Sequence, residues 1–223
     1  MSVSEDRTVQ PTVAPAPVSG IADPAPLGLA AFALTTFLLS TKNAGWTTHA
    51  TGSAWLGYAF AYGGLGQLLA GMWEFRNRNV FGATAFTTYG GFWLGLGLWV
   101  LLVANPAVAA VKPSTLATTV TSLNHDLGWI LLVFAIFNTY MLILSTQVNV
   151  AVFAVFLTLE LTEIILCIGN FTAGAALLPT GTIKFGGYVG LVTALCAWYT
   201  SAALASRGMA GKLKFPVGSP LIS

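Results

Sequence analysis

Two runs of side chains in this sequence have a helical spacing that suits a path for a small anion. The runs are Phe32, Thr36, Leu39 and Asn43, and Leu159, Glu163, Leu166 and Asn170. Steps of three and four residues place each run on one face of an α-helix. Bulky apolar groups set the width of such a path, and hydroxyl and amide groups replace lost hydration. The alternative is that the polar groups only bond to neighbouring helices.

Glu160 and Glu163 are the acidic residues that lie deep in an apolar segment. An ionised group costs a few kcal/mol at the centre of a bilayer, so such residues are candidates for function. Because burial disfavours the charged carboxylate, either residue could be neutral and exchange a proton during transport. The alternative is that they pair with a basic residue or line a water pocket between subunits.

The chain that must position these residues has the composition of an integral membrane protein. Hydrophobic residues make up 56% of the 223 positions and charged residues 7%, with a mean hydropathy of +0.78. Soluble domains have about 25% charged residues. The net charge of +2 is small and the basic residues are scattered, which excludes a nucleic-acid partner. No motif for a metal or another cofactor occurs, and we predict neither.

We predict an all-α fold of six transmembrane helices, because each crossing needs about 20 apolar residues. The predicted spans are residues 26–43, 52–73, 84–104, 127–146, 149–169 and 186–206. Residues 127–159 carry no charge but are too long for one crossing, and the polar turn at 147–149 divides them. Spans four and five therefore form a tight hairpin.

Six crossings put both termini on one side of the membrane. The basic residues divide six to three between the sides: Arg7, Arg76, Arg78, Arg207, Lys212 and Lys214, against Lys42, Lys112 and Lys184. The positive-inside rule then predicts cytoplasmic termini. We expect a disordered cytoplasmic tail at 1–22, a six-helix transporter domain at 23–206 and a second cytoplasmic tail at 207–223, in a multi-pass protein of the cell membrane.

The first helix has a clear start signal. Asp23 is a good N-cap residue and Pro24 suits the first helical position. Three other ionisable positions are predicted to have ordinary roles. Glu74 belongs to an interfacial ion cluster with Arg76 and Arg78, while His49 and the pair His125–Asp126 lie in solvated loops near the outer face. Cys167 and Cys196 lie inside spans and are interpreted as small apolar residues.

Two long blocks resemble the acetate uptake transporter family, also called succinate/acetate permeases. The first is Asp23-Pro-Ala-Pro-Leu-Gly-Leu29 with Phe32, Thr35-Thr36 and Asn43-Ala-Gly45. The second contains Gly63-Gly64, Gln67, Ala70-Gly71, Glu74-Phe75, Asn79 and Phe81 to Trp93. With Ile168-Gly-Asn170, the resemblance covers nearly all of the chain after residue 22. Asp23 departs from the Asn that usually begins the signature, and Glu160 and Glu163 depart from apolar residues.

The resemblance implies a homohexamer with one pore in each protomer. It places a hydrophobic constriction at Phe32, Tyr89 and Leu159, with Leu157 as the competing register. The same motifs imply substrate contacts from Leu27, Gly28, Thr35, Thr36, Asn43, Thr87, Thr88 and Asn170. The departures at Glu160 and Glu163 leave proton coupling by these residues an open hypothesis.

The sequence therefore predicts a transporter or channel for acetate and similar small carboxylates, succinate among them, and not an enzyme. Its transport is either proton-coupled or channel-like, and the partners are the carboxylates, protons, the bilayer and further copies of the chain. One alternative is ammonium transport. The other is a membrane scaffold or sensor without transport, which has no need of polar stripes along its helices.

Overall fold

The computed structural model describes residues 20–47 and 53–222, and this part of the chain is a bundle of helices. Its helices are α1 Ala25–Asn43, α2 Ala54–Phe60, α3 Gln67–Arg76, α4 Val80–Trp99, α5 Asn105–Ala110, α6 Leu116–Ser145, α7 Val150–Thr172 and α8 Gly181–Gly208. A π-helical stretch, Ala61–Gly66, joins α2 to α3, and a second, Val100–Ala104, joins α4 to α5. The predicted all-α class is confirmed.

Five helical segments in the described ranges are long and apolar enough to cross a membrane, where the sequence predicts six crossings. They are Ala25–Asn43, Val80–Ala110, Pro113–Ser145, Val150–Thr172 and Gly181–Gly208. The remaining predicted crossing, residues 52–73, corresponds to the continuous helical segment from α2 to α3. Its glycines and polar Gln67 lower its hydropathy. The count of six crossings stays a prediction.

Close backbone contact explains why the segment from α2 to α3 contains so many glycines. A side chain at Gly63 would overlap Thr35 of α1, and one at Gly71 would overlap Thr87 of α4. Small residues allow this approach in lipid, where helices associate through packing. The segment is thus held between α1 and α4, the two helices that carry Phe32 and Tyr89.

The predicted hairpin of the fourth and fifth spans is present. α6 ends at Ser145, and Asn149 caps α7 by accepting a hydrogen bond from the backbone N–H of Val152 at 2.9 Å. α6 begins at Leu116, earlier than the predicted start at 127. The prediction of a loop at His125–Asp126 is therefore wrong, since both residues lie on exposed positions of this helix.

The start of α1 differs from the prediction by one residue. Pro24 holds the N-cap position and the helix begins at Ala25. Asp23 Oδ1 accepts a hydrogen bond from the N–H of Ala25 at 2.9 Å, so the carboxylate still satisfies one free donor of the first turn. Asp23 therefore stabilises the start of α1 from the residue before the N-cap rather than from the N-cap itself.

After α8, the chain returns to the bundle. Val217 is buried, and its carbonyl accepts a hydrogen bond from the N–H of Ala151 at 2.9 Å. The hydroxyl of Tyr199 donates to the carbonyl of Pro216 at 2.6 Å. These bonds attach the C-terminal segment to the α6–α7 turn and to α8. Its predicted cytoplasmic position stays a prediction, as does the tail at 1–22, of which residues 1–19 lie outside the described part.

Candidate substrate path

Phe32, Tyr89 and Leu159 belong to one buried cluster in the middle of the bundle. The rings of Phe32 and Tyr89 meet edge to face with their centroids 5.8 Å apart. Leu159 is 6% exposed, whereas Leu157 is 39% exposed. The structure therefore brings the three predicted constriction residues together from α1, α4 and α7, and it favours the Leu159 register over the Leu157 register.

Further aromatic rings enclose Tyr89. Phe92 lies on the next turn of α4, while Phe134 and Phe137 approach from α6, with centroids 5.5 to 6.3 Å from the Tyr89 ring. Aromatic pairs at such distances and edge-on angles attract each other beyond their buried area. The packing holds Tyr89 in one orientation, so its hydroxyl has a defined set of partners.

A cavity of about 250 Å³ opens toward the end of the bundle where α1 and α7 end and α6 and α8 begin. Apolar side chains, leucines above all, form most of its wall. The polar side chains of the wall are Lys42, Asn43, Asn105, Asn124 and Asn170. No acidic residue is among the described residues that line it. The described wall thus combines apolar side chains with one cationic group and four amide groups.

The two helical runs lead from the buried cluster into this cavity. On α1, Leu39 and Asn43 line the cavity while Phe32 lies in the cluster. On α7, Leu166 and Asn170 line the cavity while Leu159 lies in the cluster. Each run thus extends from the buried cluster to the wall of the cavity.

Two buried oxygen atoms without partners lie between the ends of these runs. In the part of the chain that the structure describes, neither Thr36 Oγ1 nor Glu163 Oε2 has a hydrogen-bonding partner. Buried polar atoms are normally paired, because an unpaired one costs about 1–3 kcal/mol. Each of these oxygens can accept a hydrogen bond from water or a solute, as can Thr87 Oγ1 on α4, which is also buried without a partner among the described residues.

The two glutamates are held by a network from α4 and α6. Glu160 accepts hydrogen bonds from Asn138 Nδ2 and from Thr139 Oγ1, both at 2.7 Å. Asn138 Nδ2 also donates to the carbonyl of Phe156 at 3.0 Å. The hydroxyl oxygen of Tyr89 lies 2.9 Å from Asn138 Oδ1 and 3.3 Å from Glu163 Oε1. A constriction residue is thereby connected to both carboxyl groups.

A proton on Glu163 would satisfy both polar contacts of the Tyr89 hydroxyl group. Tyr89 has one hydroxyl hydrogen but two acceptor atoms beside it, on Asn138 and on Glu163. If Tyr89 donates to Asn138, the contact with Glu163 becomes a hydrogen bond only when Glu163 is protonated and donates to the tyrosine. The neutral acid also avoids the large cost of a buried charge with no basic partner.

Asn138 and Thr139 are site residues that sequence reasoning missed. Both lie in α6, within the long uncharged segment, where two adjacent polar residues interrupt an apolar run. Asn138 is completely buried. That interruption was the available signal, but only the packing of α6 against α7 identifies the glutamates as its partners.

Several residues implied by the family motif lie away from this direction. Leu27 is 47% exposed, and Gly28 is packed against the ring of Phe86. Thr35 donates to the carbonyl of Ala31 at 3.0 Å and faces Gly63 of the neighbouring helical segment. The two α4 threonines, Thr87 and Thr88, are half-buried, and Thr87 lies against Gly71. Substrate contact by these five residues stays a prediction, as it does for Thr36, Asn43 and Asn170; Thr87 Oγ1 is buried without a hydrogen-bonding partner among the described residues.

The prediction of an interfacial ion cluster at Glu74 is wrong. This side chain is completely buried, and its Oε2 accepts a hydrogen bond from Asn77 Nδ2 at 3.2 Å. A side chain at Gly82, in the first turn of α4, would overlap its carboxyl group. Glu74 therefore fixes the turn between α3 and α4, because the glycine leaves room for it at the start of the next helix.

The histidines and cysteines named in the sequence analysis have other surroundings where the structure describes them. His49 lies outside the described residues. His125 meets the ring of Phe171 edge to face at 5.8 Å, and Cys167 is buried with its Sγ 3.5 Å from the carbonyl of Gly128. Within ranges 20–47 and 53–222, no three His, Cys, Asp or Glu residues are grouped so that they could hold a metal ion.

Comparisons with known proteins find fungal relatives of this chain. The chain is 41% identical over 190 residues to acetate permease A of Emericella nidulans and 38% identical over 201 residues to ammonia transport outward protein 2 of Saccharomyces cerevisiae. These matches cover 82% and 90% of this chain, but 61% and 67% of the relatives. The chain thus spans about two thirds of the length of these fungal proteins.

Bacterial relatives match over nearly their whole length. The chain is 32% identical over 198 residues to the succinate-acetate/proton symporter SatP of Escherichia coli, which covers 89% of this chain and 96% of that protein. The structure of the bacterial acetate channel SatP superimposes with a TM-score of 0.74 at 30% identity, covering 89% and 99% of the two chains. The model of the GPR1/FUN34/yaaH family matches residues 6–217. The chain belongs to the GPR1/FUN34/yaaH family.

Proposed function

We propose that this protein transports acetate and similar small carboxylates across a membrane, through a path in each protomer. The observation that carries the proposal is that the buried cluster of Phe32, Tyr89 and Leu159 adjoins the cavity lined by asparagines and Lys42, since Trp55, Phe92 and Leu96 belong to both. An apolar narrowing excludes larger solutes, and the amides beside it replace part of the hydration of a carboxylate. Relatives named for acetate transport support the same substrate.

We further propose that Glu163 couples this transport to protons. An ionised carboxylate near the constriction would repel an anion, because charges interact strongly where the effective dielectric constant is low. The other ionisable groups that act on Glu163 are Glu160, on the same helix, and Tyr89 on α4. The neutral form would therefore be the conducting form. Succinate, with two charges, would be a poorer substrate than acetate.

The assembly and orientation remain proposals on separate grounds. The homohexamer rests on the family resemblance, and cytoplasmic termini rest on the six-to-three division of basic residues. Cysteines introduced at Ser4 and Ser114 test the orientation, with Cys167 and Cys196 replaced by serine. An impermeant thiol reagent should label position 114 in intact cells and leave position 4 unlabelled. The reverse pattern would overturn the orientation.

Ammonium transport is the second candidate, because one relative is named for the outward transport of ammonia. A lysine and the absence of acidic residues among the described lining residues make the cavity unfavourable for a cation. We therefore rank ammonium below acetate.

The decisive experiment is uptake of labelled acetate into liposomes that contain the purified protein, with and without an imposed pH gradient. Protein-free liposomes correct for diffusion of acetic acid. We expect uptake that depends on the protein and increases when the side of entry is acidic. Uptake equal to that of empty liposomes would contradict acetate transport, and labelled methylammonium in the same vesicles tests the alternative.

A further inference from the structure

We propose that Lys42 and Asn43 form a capture site for the carboxylate group of a monocarboxylate at the wide end of the path. This inference rests on the proposed transport of small carboxylates and identifies the residues that receive them. Lys42 lies in the last turn of α1, and both residues line the cavity. Neither residue is part of the buried cluster at Tyr89.

The Lys42 ammonium group is held at the cavity wall by an aromatic ring. Its Nζ lies 5.8 Å from the centroid of the Trp55 ring, within the range of a cation–π contact. Trp55 is 2% exposed, and its ring packs against that of Trp93 at a centroid distance of 6.5 Å. The tryptophan is therefore a fixed support, and the lysine charge has a defined place beside the cavity.

The charge of Lys42 is not neutralised within the described part of the chain. Lys42 is the one charged residue among the described residues that line the cavity. In ranges 20–47 and 53–222, its ammonium group has no acidic partner, and the Asn43 amide makes no side-chain hydrogen bond. A favourable interaction with the C-terminal end of α1 explains a basic residue in this turn. That interaction does not explain why the Lys42 ammonium group lies over Trp55, or why the neighbouring Asn43 amide has no hydrogen-bonding partner among the described residues.

These groups match the two halves of a short monocarboxylate. The ammonium group and the Asn43 amide supply donors to the carboxylate oxygens, with Asn170 across the cavity on α7. Leu39 and Leu166 offer an apolar wall to the alkyl group. A single cation matches a single carboxylate. The second carboxylate of succinate would find no second cation among the described lining residues, so this site favours acetate over succinate.

The test compares Lys42→Gln, Lys42→Arg and the matched control Lys112→Gln in acetate uptake by liposomes. Lys112 is exposed and does not line the cavity. We expect Lys42→Gln to raise the KM for acetate about fivefold, with little change at saturating acetate, since a solvent-accessible charge pair contributes up to about 1 kcal/mol. Salt should weaken acetate uptake by the wild type, because it screens the Lys42 charge, and it should have little effect on uptake by Lys42→Gln. Lys42→Arg should restore both properties.

A second measurement separates this inference from the proposed function. Binding of ¹³C-acetate to the solubilised protein, followed by NMR line broadening, does not require transport. Weaker binding to the Lys42→Gln variant than to the wild type, with normal elution and thermal stability, supports capture even if vesicles take up no acetate. Equal KM, equal salt dependence and equal binding in the wild type and Lys42→Gln would overturn the capture site. Failure of wild-type uptake alone would overturn only the transport proposal.

Discussion

The middle and the wide end of the path have opposite electrostatic character. Glu160 and Glu163 lie near the constriction, buried and bonded to Asn138 and Tyr89. Lys42 lies at the cavity, with no acidic residue among the described residues around it. An acetate ion would meet an attractive charge first and then a carboxyl group that repels it when ionised.

Under the two proposals, attraction of the anion and its passage are controlled by separate groups. The cavity would concentrate acetate at any pH at which Lys42 is charged, whereas passage would depend on the proton of Glu163. A path with a cation throughout would bind the anion tightly and release it slowly. The placement of the acids in the narrow part provides a proton-dependent step after capture.

The largest effect on the acidic region should come from Asn138→Leu. This change removes the amide that donates to Glu160 and accepts from Tyr89, and each buried polar group left unpaired costs about 1–3 kcal/mol, in addition to the strain of a branched side chain in the same space. We expect a marked fall in the thermal unfolding temperature of the detergent-solubilised protein. The double variant Asn138→Leu with Glu160→Leu should be more stable than the sum of the two single changes predicts. Simple additivity would show that the two side chains do not depend on each other.

Tyr89→Ala should have the next largest effect. It removes a ring that contacts Phe32, Phe92 and Phe137, which costs about 3 kcal/mol or more for a buried aromatic residue. It should also widen the path and admit larger carboxylates in the liposome uptake assay. The control is Tyr140→Ala, since Tyr140 is 48% exposed. Equal selectivity in both variants would remove Tyr89 from the constriction.

The long helices could be predicted from the sequence more fully than the contacts between them. Hydropathy identified the long helices, because apolar length is a local property. It did not predict the π-helical stretches Ala61–Gly66 and Val100–Ala104, or the buried position of Glu74. Those depend on contacts between helices, such as the space that Gly82 leaves for the Glu74 carboxyl group.

The same distinction explains the site. The spacing of Phe32, Thr36 and Asn43 was sufficient to put them on one face of α1. Thr35, the neighbour of Thr36 in the same motif, instead contacts Gly63 of the adjacent helical segment. A motif lists neighbours in sequence and does not say which of them face the path. The partners of Glu160 and Glu163 come from α6, and no local pattern in α7 indicates them.

A smaller effect distinguishes the two registers of α7. Leu159→Ala should lower thermal stability by about 2 kcal/mol or more and change acetate flux, because Leu159 is 6% exposed in the central cluster. Leu157→Ala is the matched control, since Leu157 is 39% exposed and its truncation should have a minor effect on both measurements. A larger change in flux from Leu157 would reverse the assignment.

The smallest structural change, Glu163→Gln, tests the link between the two regions most directly. Glutamine has nearly the shape of the protonated acid, and its amide can donate to the Tyr89 oxygen as the neutral carboxyl group does, so the fold should be retained. In the wild type, raising the pH ionises Glu163, and the resulting negative charge repels acetate near the constriction. Wild-type uptake should therefore fall as pH rises, while Glu163→Gln should keep high flux with a flatter pH profile. Both profiles need subtraction of the uptake by protein-free liposomes, because acetic acid crosses lipid at low pH.

The capture step provides the internal control, since the KM shift of Lys42→Gln should be the same with Glu or Gln at position 163. If Glu163→Gln retains the full wild-type pH profile, the proton-dependent step belongs to another group. Glu160, the second buried acid, which accepts a hydrogen bond from Asn138, is then the next residue to replace.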